Sequence, residues 1–408
     1  MNVFLPGTFD TKGTEFAFLK SLLEIRGLNC ICADAGVLEP ATFTPDISRD
    51  EVFLAAGTTL KKILLEKNRG KSIEAASKGL TKIALELFRQ GKINAVLGMG
   101  GSAGTTLATA VMRSLPFGIP KLMISTLASG QVRPFVGVKD ILMMHSVVDI
   151  SGLNRISKKV LVNGANAMAG MLKIRPEDNT IDANSSEVQL LGATMFGVTT
   201  PCVEFARNLL EQAGHEVLVF HATGTGGLTM ESFILDGIIK GVLDITTTEI
   251  ADEQVGGILS AGQDRLTAAA FMGIPQVISV GALDMVNFGP RDSVPEKFKH
   301  RLLYPHNPNV TLMRTTPEEN ALMGKEIGLK ASAAKGATAL LFPKNGISSL
   351  DAVGQPFWWP EANKALLDSL KLWLSPDVEL IEFDLHINDS AFSKACANKL
   401  LEYLSKKN

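Results

Sequence analysis

Cysteine is scarce in this chain. Cys30, Cys32, Cys202 and Cys396 are the four cysteines among 408 residues, and their spacings do not match those of a zinc site. So few thiols exclude a disulfide framework and favour a reducing compartment. The chain also lacks an apolar run long enough to cross a bilayer, and no basic segment precedes its first apolar residues, as a signal peptide would require. We therefore expect a cytoplasmic protein without a membrane segment.

An excess of charge of one sign is lacking as well. The 40 lysines and arginines nearly balance the 42 aspartates and glutamates, which leaves a formal net charge of −2. A nucleic-acid-binding surface needs a basic stripe, so this balance excludes nucleic acid as the expected partner. Apolar residues are plentiful, because 46% of the sequence is hydrophobic. This content is enough for full cores in a globular protein of two domains.

Short apolar segments alternate with amphipathic ones along the sequence, which predicts an α/β fold. Strand 3–7, helix 10–26 and strand 29–34 form a first βαβ unit, and such units are parallel and right-handed. The polar stretch 175–184 interrupts the alternation, which then begins again near residue 188. We therefore predict two tandem Rossmann-like doubly wound parallel-sheet domains, residues 1–182 and 183–408. Their ligands would bind beyond the carboxyl ends of the strands.

The segment 96–106 is the strongest candidate for a ligand site. An apolar strand there meets a turn with four glycines and three hydroxyl residues, and a helix follows. Glycine lets a ligand approach the backbone, and the free N–H groups at a helix start attract anions. The pattern is neither a P-loop, because no Gly-Lys-Ser/Thr follows, nor a regular G-x-G-x-x-G. We expect an anion at Gly100, Gly101, Ser102, Gly104 and Thr105; a plain tight turn is the alternative.

The turn after the first strand is the second candidate. Its candidate ligand residues are Gly7, Thr8, Asp10, Thr11 and Lys12. The ammonium group of Lys12 can neutralise a phosphate, and the side chains of Asp10 and Thr11 suit either a ligand or a helix cap. Dinucleotide-binding folds place a ribose-binding acid about 20 residues further on, where this chain has Asp34. Ordinary caps and a turn aspartate are the structural alternative.

Two further loops follow predicted strands. The loop 125–130 carries Thr126, Ser129 and Gly130, which suit hydrogen bonds to a polar ligand. The glycine-rich segment 223–229 opens a helix in the second domain, as segment 96–106 does in the first. The two glycine loops would either frame one ligand or bind one anion each, and the sequence leaves both possibilities open.

The C-terminal half contains a set of side chains suited to proton transfer. Asp284, His306, Glu318 and His386 would form an acid/base set or bind a divalent metal, with His306 or His386 as general base. Glu318 has a structural alternative, because it follows Thr316-Pro317 in the pattern of a helix N-cap, a proline at the first helical position and an acid in the first turn.

Seven segments together give the chain a resemblance that no single motif provides. They are residues 7–12, 98–105, 125–130, 146–154, 223–227, 306–308 and 386–389. In order and spacing they are similar to those of the Tm-type ATP-binding family, whose members are bacterial and fungal proteins of about this length. The resemblance covers essentially the whole chain. It implies two Rossmann-like domains, ATP with Mg²⁺ on the N-terminal loops, and self-association into dimers or higher oligomers.

These observations support three hypotheses. The first is an ATP-binding protein that acts as an enzyme on a small anionic metabolite. The second is a nucleotide-independent hydrolase or lyase of a carboxylate substrate, because Gly100-x-Ser102-x-Gly104 matches the bare nucleophile-elbow pattern. The third is a nucleotide-gated binding protein without turnover. A hydrolase would lose its activity with Ser102→Ala, whereas the binding protein would tolerate changes at His306 and His386.

Overall fold

The predicted alternation of strands and helices runs through the chain. The structure is a computed structural model that describes residues 1–173 and 188–406. The chain divides into two units, Met1–Ala183 and Asn184–Asn408. The polar stretch 175–184, which we expect at the domain boundary, lies outside the described residues.

The first unit is built on a five-stranded parallel sheet in the order β2-β1-β3-β4-β5. Its elements are β1 (Asn2–Gly7), α1 (Phe9–Ile25), β2 (Asn29–Asp34), α2 (Arg49–Ala55), α3 (Leu60–Glu66), α4 (Arg69–Arg89), β3 (Ala95–Gly100), α5 (Ser102–Ser114), β4 (Lys121–Ser125), α6 (Arg133–Val136), β5 (Leu142–His145) and α7 (Arg155–Leu172). The chain leaves β1 towards β2 and returns on its other side at β3. The topological switch point, where doubly wound folds bind ligands, therefore lies between β1 and β3.

Alternate residues of a strand reach opposite faces of a sheet, and both faces of this sheet are covered. In β1, Val3 and Leu5 are buried in the same cluster as Phe16 of α1. Phe4, between them, is buried in the other cluster with Leu80 of α4. A strand that is apolar at consecutive positions is therefore the expected sequence for the centre of this sheet.

The second unit repeats the plan with a six-stranded parallel sheet in the order β14-β13-β9-β8-β6-β7. Its elements are β6 (Leu190–Met195), α8 (Thr200–Gln212), β7 (Glu216–His221), α9 (Thr225–Leu235), β8 (Gly241–Thr246), α10 (Thr248–Val255), α11 (Ala268–Met272), β9 (Gln276–Gly281), β10 (Met285–Phe288), β11 (Leu303–Asn307), β12 (Val310–Arg314), α12 (Pro317–Ser332), β13 (Thr338–Pro343), α13 (Pro360–Trp373), β14 (Glu379–Phe383) and α14 (Ser390–Ser405). The reversal in strand order lies between β6 and β8.

The predicted fold class, an α/β protein with two Rossmann-like parallel-sheet units, is confirmed. The differences concern element ends and one insertion. The helix that we expect the glycine-rich segment 223–229 to open begins at Thr225, inside that segment. A small antiparallel sheet in the order β10-β12-β11 stands between β9 and β13, and the sequence pattern does not predict it. Within the described residues, no helix combines the length and apolar character that crossing a bilayer requires.

Candidate functional site

A cavity of about 600 Å³ opens at the switch point of the first unit. Its walls come from the turns that follow β1 and β2, from the first turns of α5, and from the corner between α3 and α4. The volume is in the range of small-molecule sites. The loops that follow β1, β2 and β3 meet here because the chain leaves β1 in one direction along the sheet and returns on the other side at β3. This cavity is the candidate functional site.

The turn after β1 is held in place by a buried aspartate at the end of β2. Asp34 Oδ1 accepts hydrogen bonds from the backbone N–H groups of Phe9 and Gly36, each at 2.9 Å. Burial raises the pKa of Asp34 above its ordinary value, and the two backbone hydrogen bonds oppose that increase. Asp34 is not part of the cavity lining. It therefore fixes the turn rather than presenting a carboxylate to a ribose.

Asp10 is the acidic residue in the cavity wall, together with Thr8 and Thr11. Its Oδ2 accepts a hydrogen bond of 2.8 Å from the backbone N–H of Leu38. Its Oδ1 is buried and has no hydrogen-bond partner in the part of the chain that the structure describes. A buried carboxylate oxygen without a partner costs free energy unless a ligand satisfies it. Asp10 therefore belongs to the cavity wall and does not cap α1, whose start has no side-chain cap hydrogen bond in the described residues.

The first glycine loop carries the chain from β3 into α5. A Cβ at Gly104 would lie 2.8 Å from the backbone oxygen of Met99, so only glycine allows this close approach. No side chain caps the start of α5 at Gly101 in the described residues. A Cβ at Gly101 would have Thr126 Oγ1, at 3.7 Å, as its nearest neighbour. The helix therefore starts with backbone N–H groups that no side chain occupies, next to the cavity lined by Ala103 and Leu107.

Several predicted ligand residues stabilise the loops around the cavity. Thr105 Oγ1 and Ser125 Oγ share a buried hydrogen bond of 2.7 Å, which joins α5 to β4. The backbone N–H of Thr126 donates to Gly100 O at 3.3 Å. Lys12 donates from Nζ to the backbone oxygen of Ile150 and does not line the cavity. The structure therefore provides no phosphate contact for Lys12 at this site.

The remaining residues predicted for this site fall into two groups. Gly7 packs against the ring of Phe16, where a Cβ would collide with it. Ser102, Ser129 and Gly130 are exposed at the ends of their loops. None of these four lines the cavity.

The corner between α3 and α4 also lines the cavity, and no motif in the sequence marks it. Lys67, Asn68, Arg69 and Ser72 contribute the polar part of this wall, and apolar side chains such as Ile73 supply the rest. Asn68 caps α4, because its side chain accepts a hydrogen bond of 3.1 Å from the backbone N–H of Lys71. An asparagine before an amphipathic helix is a readable cap signal. The sequence pattern could not indicate, however, that Asn68 lies in the same cavity wall as the loops that follow β1 and β3.

The second glycine loop already holds an anion that belongs to the chain. Glu249, at the start of α10 and fully buried, accepts hydrogen bonds on Oε1 from Gly224 N–H at 2.7 Å and Gly227 N–H at 3.0 Å. Its Oε2 accepts from Arg265 Nε at 2.7 Å. A Cβ at Gly227 would collide with Oε2. The predicted anion site at 223–229 is therefore built as expected but is occupied by a carboxylate of the protein itself.

Arg265 completes this cluster. The guanidinium donates to both carboxylate oxygens of Asp244, at 2.5 and 2.6 Å, and lies 3.4 Å from Glu231 Oε1. Burial alone would lower the pKa of Arg265, but Asp244 and Glu249 raise it well above its ordinary value. The cluster ties β8, α9, α10 and the segment before α11 together, so its role is structural.

Of the four C-terminal residues predicted for catalysis, Asp284 and His386 are joined through one residue. Ser348 Oγ donates to Asp284 Oδ2 at 2.7 Å, and His386 Nε2 lies 2.9 Å from the backbone oxygen of Ser348. The backbone N–H of Asn388 donates to His386 Nδ1 at 3.1 Å, so Nε2 carries the proton and donates to that oxygen. Asp284 is fully buried, beneath the turn that holds Asp351.

His306 and Glu318 are placed elsewhere. His306 is exposed in β11, and Glu318 is exposed in the first turn of α12. Thr316 caps this helix in a capping box with Glu319, which is the structural alternative for this segment. Neither His306 nor Glu318 makes a hydrogen bond to Asp284 or His386 in the described ranges. No group of three His, Cys, Asp or Glu side chains among the described residues could hold a metal ion.

Comparisons with known proteins cover the whole chain. The N-terminal domain model of the uncharacterised protein family UPF0261 matches residues 1–177, and the C-terminal domain model of that family matches residues 189–404. A UPF0261 protein from Clostridium tetani is 50% identical over 405 residues, which cover 99% of both chains. The ToMV resistance protein Tm-1(GCR237) from Solanum lycopersicum is 43% identical over 419 residues, which cover 98% of this chain and 55% of the tomato protein.

One solved structure is similar over almost the full length. A UDP-N-acetylglucosamine 2-epimerase from Rickettsia bellii aligns with 99% of this chain and 97% of its own, at 12% sequence identity and a TM-score of 0.22.

Proposed function

The chain belongs to the uncharacterised protein family UPF0261 and is related to the tomato Tm-1 proteins, and on this premise we propose that it binds ATP with Mg²⁺ in the cavity of the first unit. In this proposal it is a cytoplasmic enzyme that acts on a small anionic metabolite and forms a homodimer or a higher oligomer. The observation that carries the proposal is the position of the cavity, at the switch point and beside the uncapped start of α5.

The start of α5 supplies the phosphate contact. Its backbone N–H groups carry partial positive charge, and α5 is 13 residues long, so its dipole is fully developed. Gly104 keeps the helix close to β3, and a Cβ at Gly101 would have no neighbour nearer than Thr126 Oγ1 at 3.7 Å. A phosphate on this turn would accept hydrogen bonds that no capping side chain competes for.

The apolar wall of the cavity suits the base of the nucleotide. Val37, Ile63, Ile73 and Leu107 line it, from four different segments of the unit. A planar base gains contact with such side chains, while its polar edge remains free for backbone groups. The cavity therefore combines an apolar wall with an anion-binding helix start, which is the combination that a nucleotide needs.

Asp10 fits the role of the magnesium ligand. Mg²⁺ at nucleotide sites is commonly bound by one or two carboxylates together with phosphate oxygens, so a cluster of three acids is not required. Asp10 lines the same cavity as Ala103 in the first turn of α5, and its Oδ1 has no hydrogen-bond partner among the described residues, so a modest rotation of the side chain would present that oxygen to a ligand. When bound, Mg²⁺ would neutralise charge on the phosphates.

Of the residues predicted for catalysis, His386 has both ring nitrogens hydrogen-bonded within the second unit, since Nε2 donates to Ser348 O and Nδ1 accepts from Asn388 N–H, so neither is free to accept a proton. Ser102, which a hydrolase would use as nucleophile, makes no side-chain hydrogen bond to a histidine within the described residues. This geometry favours the ATP hypothesis over the hydrolase, in which a serine needs an adjacent base.

Thermal unfolding with and without millimolar Mg-ATP tests the proposal. A ligand at 100 times its dissociation constant adds about 2.7 kcal/mol, which raises the unfolding midpoint by several degrees. We expect this shift in the wild type and not in Gly101→Val, whose side chain would fill the space over the first turn of α5. Gly170→Val is the matched control, because a Cβ at Gly170 contacts nothing within 4 Å. A wild type without a shift would overturn the proposal.

A further inference from the structure

Two cations at the cavity have no partner. Lys67 directly follows α3 and Arg69 begins α4, and both line the cavity wall. Neither side chain forms an ion pair or a hydrogen bond among residues 1–173 and 188–406. Their neighbour Lys71, by contrast, pairs with Glu66 at 3.1 Å. Charged groups that face a cavity without a partner are available to a ligand of opposite charge.

The backbone of this corner is fixed by local hydrogen bonds. Asn68 caps α4, and Ser72 Oγ donates to the backbone oxygen of Asn68 at 2.9 Å. Lys67 has a φ of +47°, in the left-handed region that residues with a Cβ rarely adopt. Lys67 is the C-cap residue of α3, where a left-handed conformation commonly ends a helix, and it leaves Lys67 and Arg69 close together in the cavity wall.

The charge balance of the lining favours a strongly anionic ligand. Lys67 and Arg69 contribute two positive charges, and the nearby start of α5 adds the positive end of its dipole. Asp10 contributes the one negative charge among the lining residues. A ligand with a single phosphate could satisfy the helix start and leave both cations unpaired. A chain of phosphates supplies further negative charges for the two cations.

We infer that the corner of Lys67 and Arg69 determines which nucleotides bind, because it contacts the distal phosphates and selects ATP over AMP. This inference rests on the proposed function and names two residues that the sequence motifs do not include. Arginine and lysine contact phosphate well, and at a solvent-exposed rim each contact contributes a few-fold to affinity. The nucleotide would extend from the start of α5 towards the corner, with the apolar wall beside its base.

Calorimetric titration of AMP, ADP and ATP in excess MgCl₂ tests the inference. The test variant is Lys67→Asn/Arg69→Gln, in which asparagine tolerates the left-handed backbone at position 67. The control is Lys61→Gln/Lys62→Gln, which removes the same charge from exposed positions of α3 that do not line the cavity. We expect affinity to rise from AMP to ATP in the wild type and in the control. The test variant should lose about ten-fold in affinity for ATP and less than about two-fold for AMP.

Three results would overturn the inference. An equal loss for AMP and ATP would place the corner at the base or the first phosphate. An equal loss of ATP affinity in the control would show that the effect comes from the overall charge of the protein and not from contacts at the corner. If the test variant binds ATP with wild-type affinity, Lys67 and Arg69 do not contact the nucleotide. If the wild type binds none of the three nucleotides, the proposed function fails as well, so the two failures are distinguishable. Unfolding midpoints without ligand show whether the test variant is folded.

Discussion

Glu249 shows what a single residue does to a predicted binding site. The second glycine loop has the backbone geometry of an anion site, and its N–H groups point at a carboxylate. That carboxylate comes from the chain, 25 residues after Gly224, and it is paired with Arg265. The loop motif alone therefore identifies the capacity to hold an anion and not the identity of the anion.

Glu249→Ala should destabilise the protein by about 3 kcal/mol, because it leaves Arg265 with one partner fewer and two backbone N–H groups unsatisfied in a buried site. Urea unfolding of the variant measures this loss. Formate should restore part of it, since the small carboxylate fits the space that the glutamate side chain leaves. Glu253→Ala, on the same helix but half-buried, is the control with an effect below about 1 kcal/mol. A stable Glu249→Ala protein would show that the cluster is not structural.

At the scale of elements, the first glycine loop uses its glycines for different purposes. Gly104 permits contact between α5 and the end of β3, whereas Gly101 keeps the space above the helix start open. The sequence shows both as glycines in one motif. The difference follows from what surrounds each position in the folded chain.

Gly104→Ala should lower the free energy of unfolding by about 1–3 kcal/mol, because the added Cβ meets the backbone oxygen of Met99, which cannot move away cheaply. Gly101→Ala should change it by less than about 0.5 kcal/mol, since its Cβ meets ordinary space. Chemical unfolding of the two variants makes the comparison. Equal effects at both positions would contradict the distinction between a packing glycine and an open one.

Local pattern predicts most of the parallel sheets and little of the inserted one. The helix predicted at 10–26 is observed at Phe9–Ile25, because its apolar face repeats every turn and β1 precedes it directly. The strand β10 lies too close to β9 to be separated from it by pattern. It pairs with β12, which places Met285 opposite Arg314, a residue far from it in the sequence. Such pairing depends on contacts that are distant in sequence.

The candidate site likewise has a part that the sequence predicts and a part that it does not. The loops after β1 and β3 carry glycine and hydroxyl residues that mark them in the sequence, and both border the cavity through residues such as Thr8 and Ala103. The helix corner of Lys67 and Arg69 carries no comparable motif. Its position over the cavity results from the packing of α3 and α4 in the folded unit, which sequence spacing does not encode.

At the scale of the whole molecule, buried acids make stability depend on pH. Burial raises the pKa of Asp284 to about 7; Asp351 nearby raises it further and Arg314 opposes the increase. Burial likewise raises the pKa of Asp252 to about 7. In the unfolded chain these groups ionise near pH 4. The folded protein therefore holds protons at these two groups that the unfolded chain releases, and their contribution to stability falls as pH rises from about 4 to 7.

Asp284→Asn should remove part of this dependence, because the amide stays neutral at every pH and can keep the contact with Ser348. We expect the unfolding midpoint of the variant, relative to the wild type, to increase steadily between pH 5 and pH 7. Differential scanning calorimetry across this range provides the measurement. Asp292→Asn, at an exposed position, should follow the wild type. A constant difference between Asp284→Asn and wild type would show that Asp284 does not hold a proton in the folded state.

The carboxylate in the second glycine loop has a consequence for the chemistry that evolution can reach from this fold. A tethered group competes with free ligands at an effective concentration on the order of millimolar or higher. Phosphate metabolites at lower concentrations would not displace Glu249, so the second unit is closed to them. Replacing that side chain would leave two buried backbone N–H groups and Arg265 without this partner, so the loop would lose stability before it could serve a ligand. The carboxylate of Glu249 therefore makes the second glycine loop part of the core of its unit instead of a ligand site.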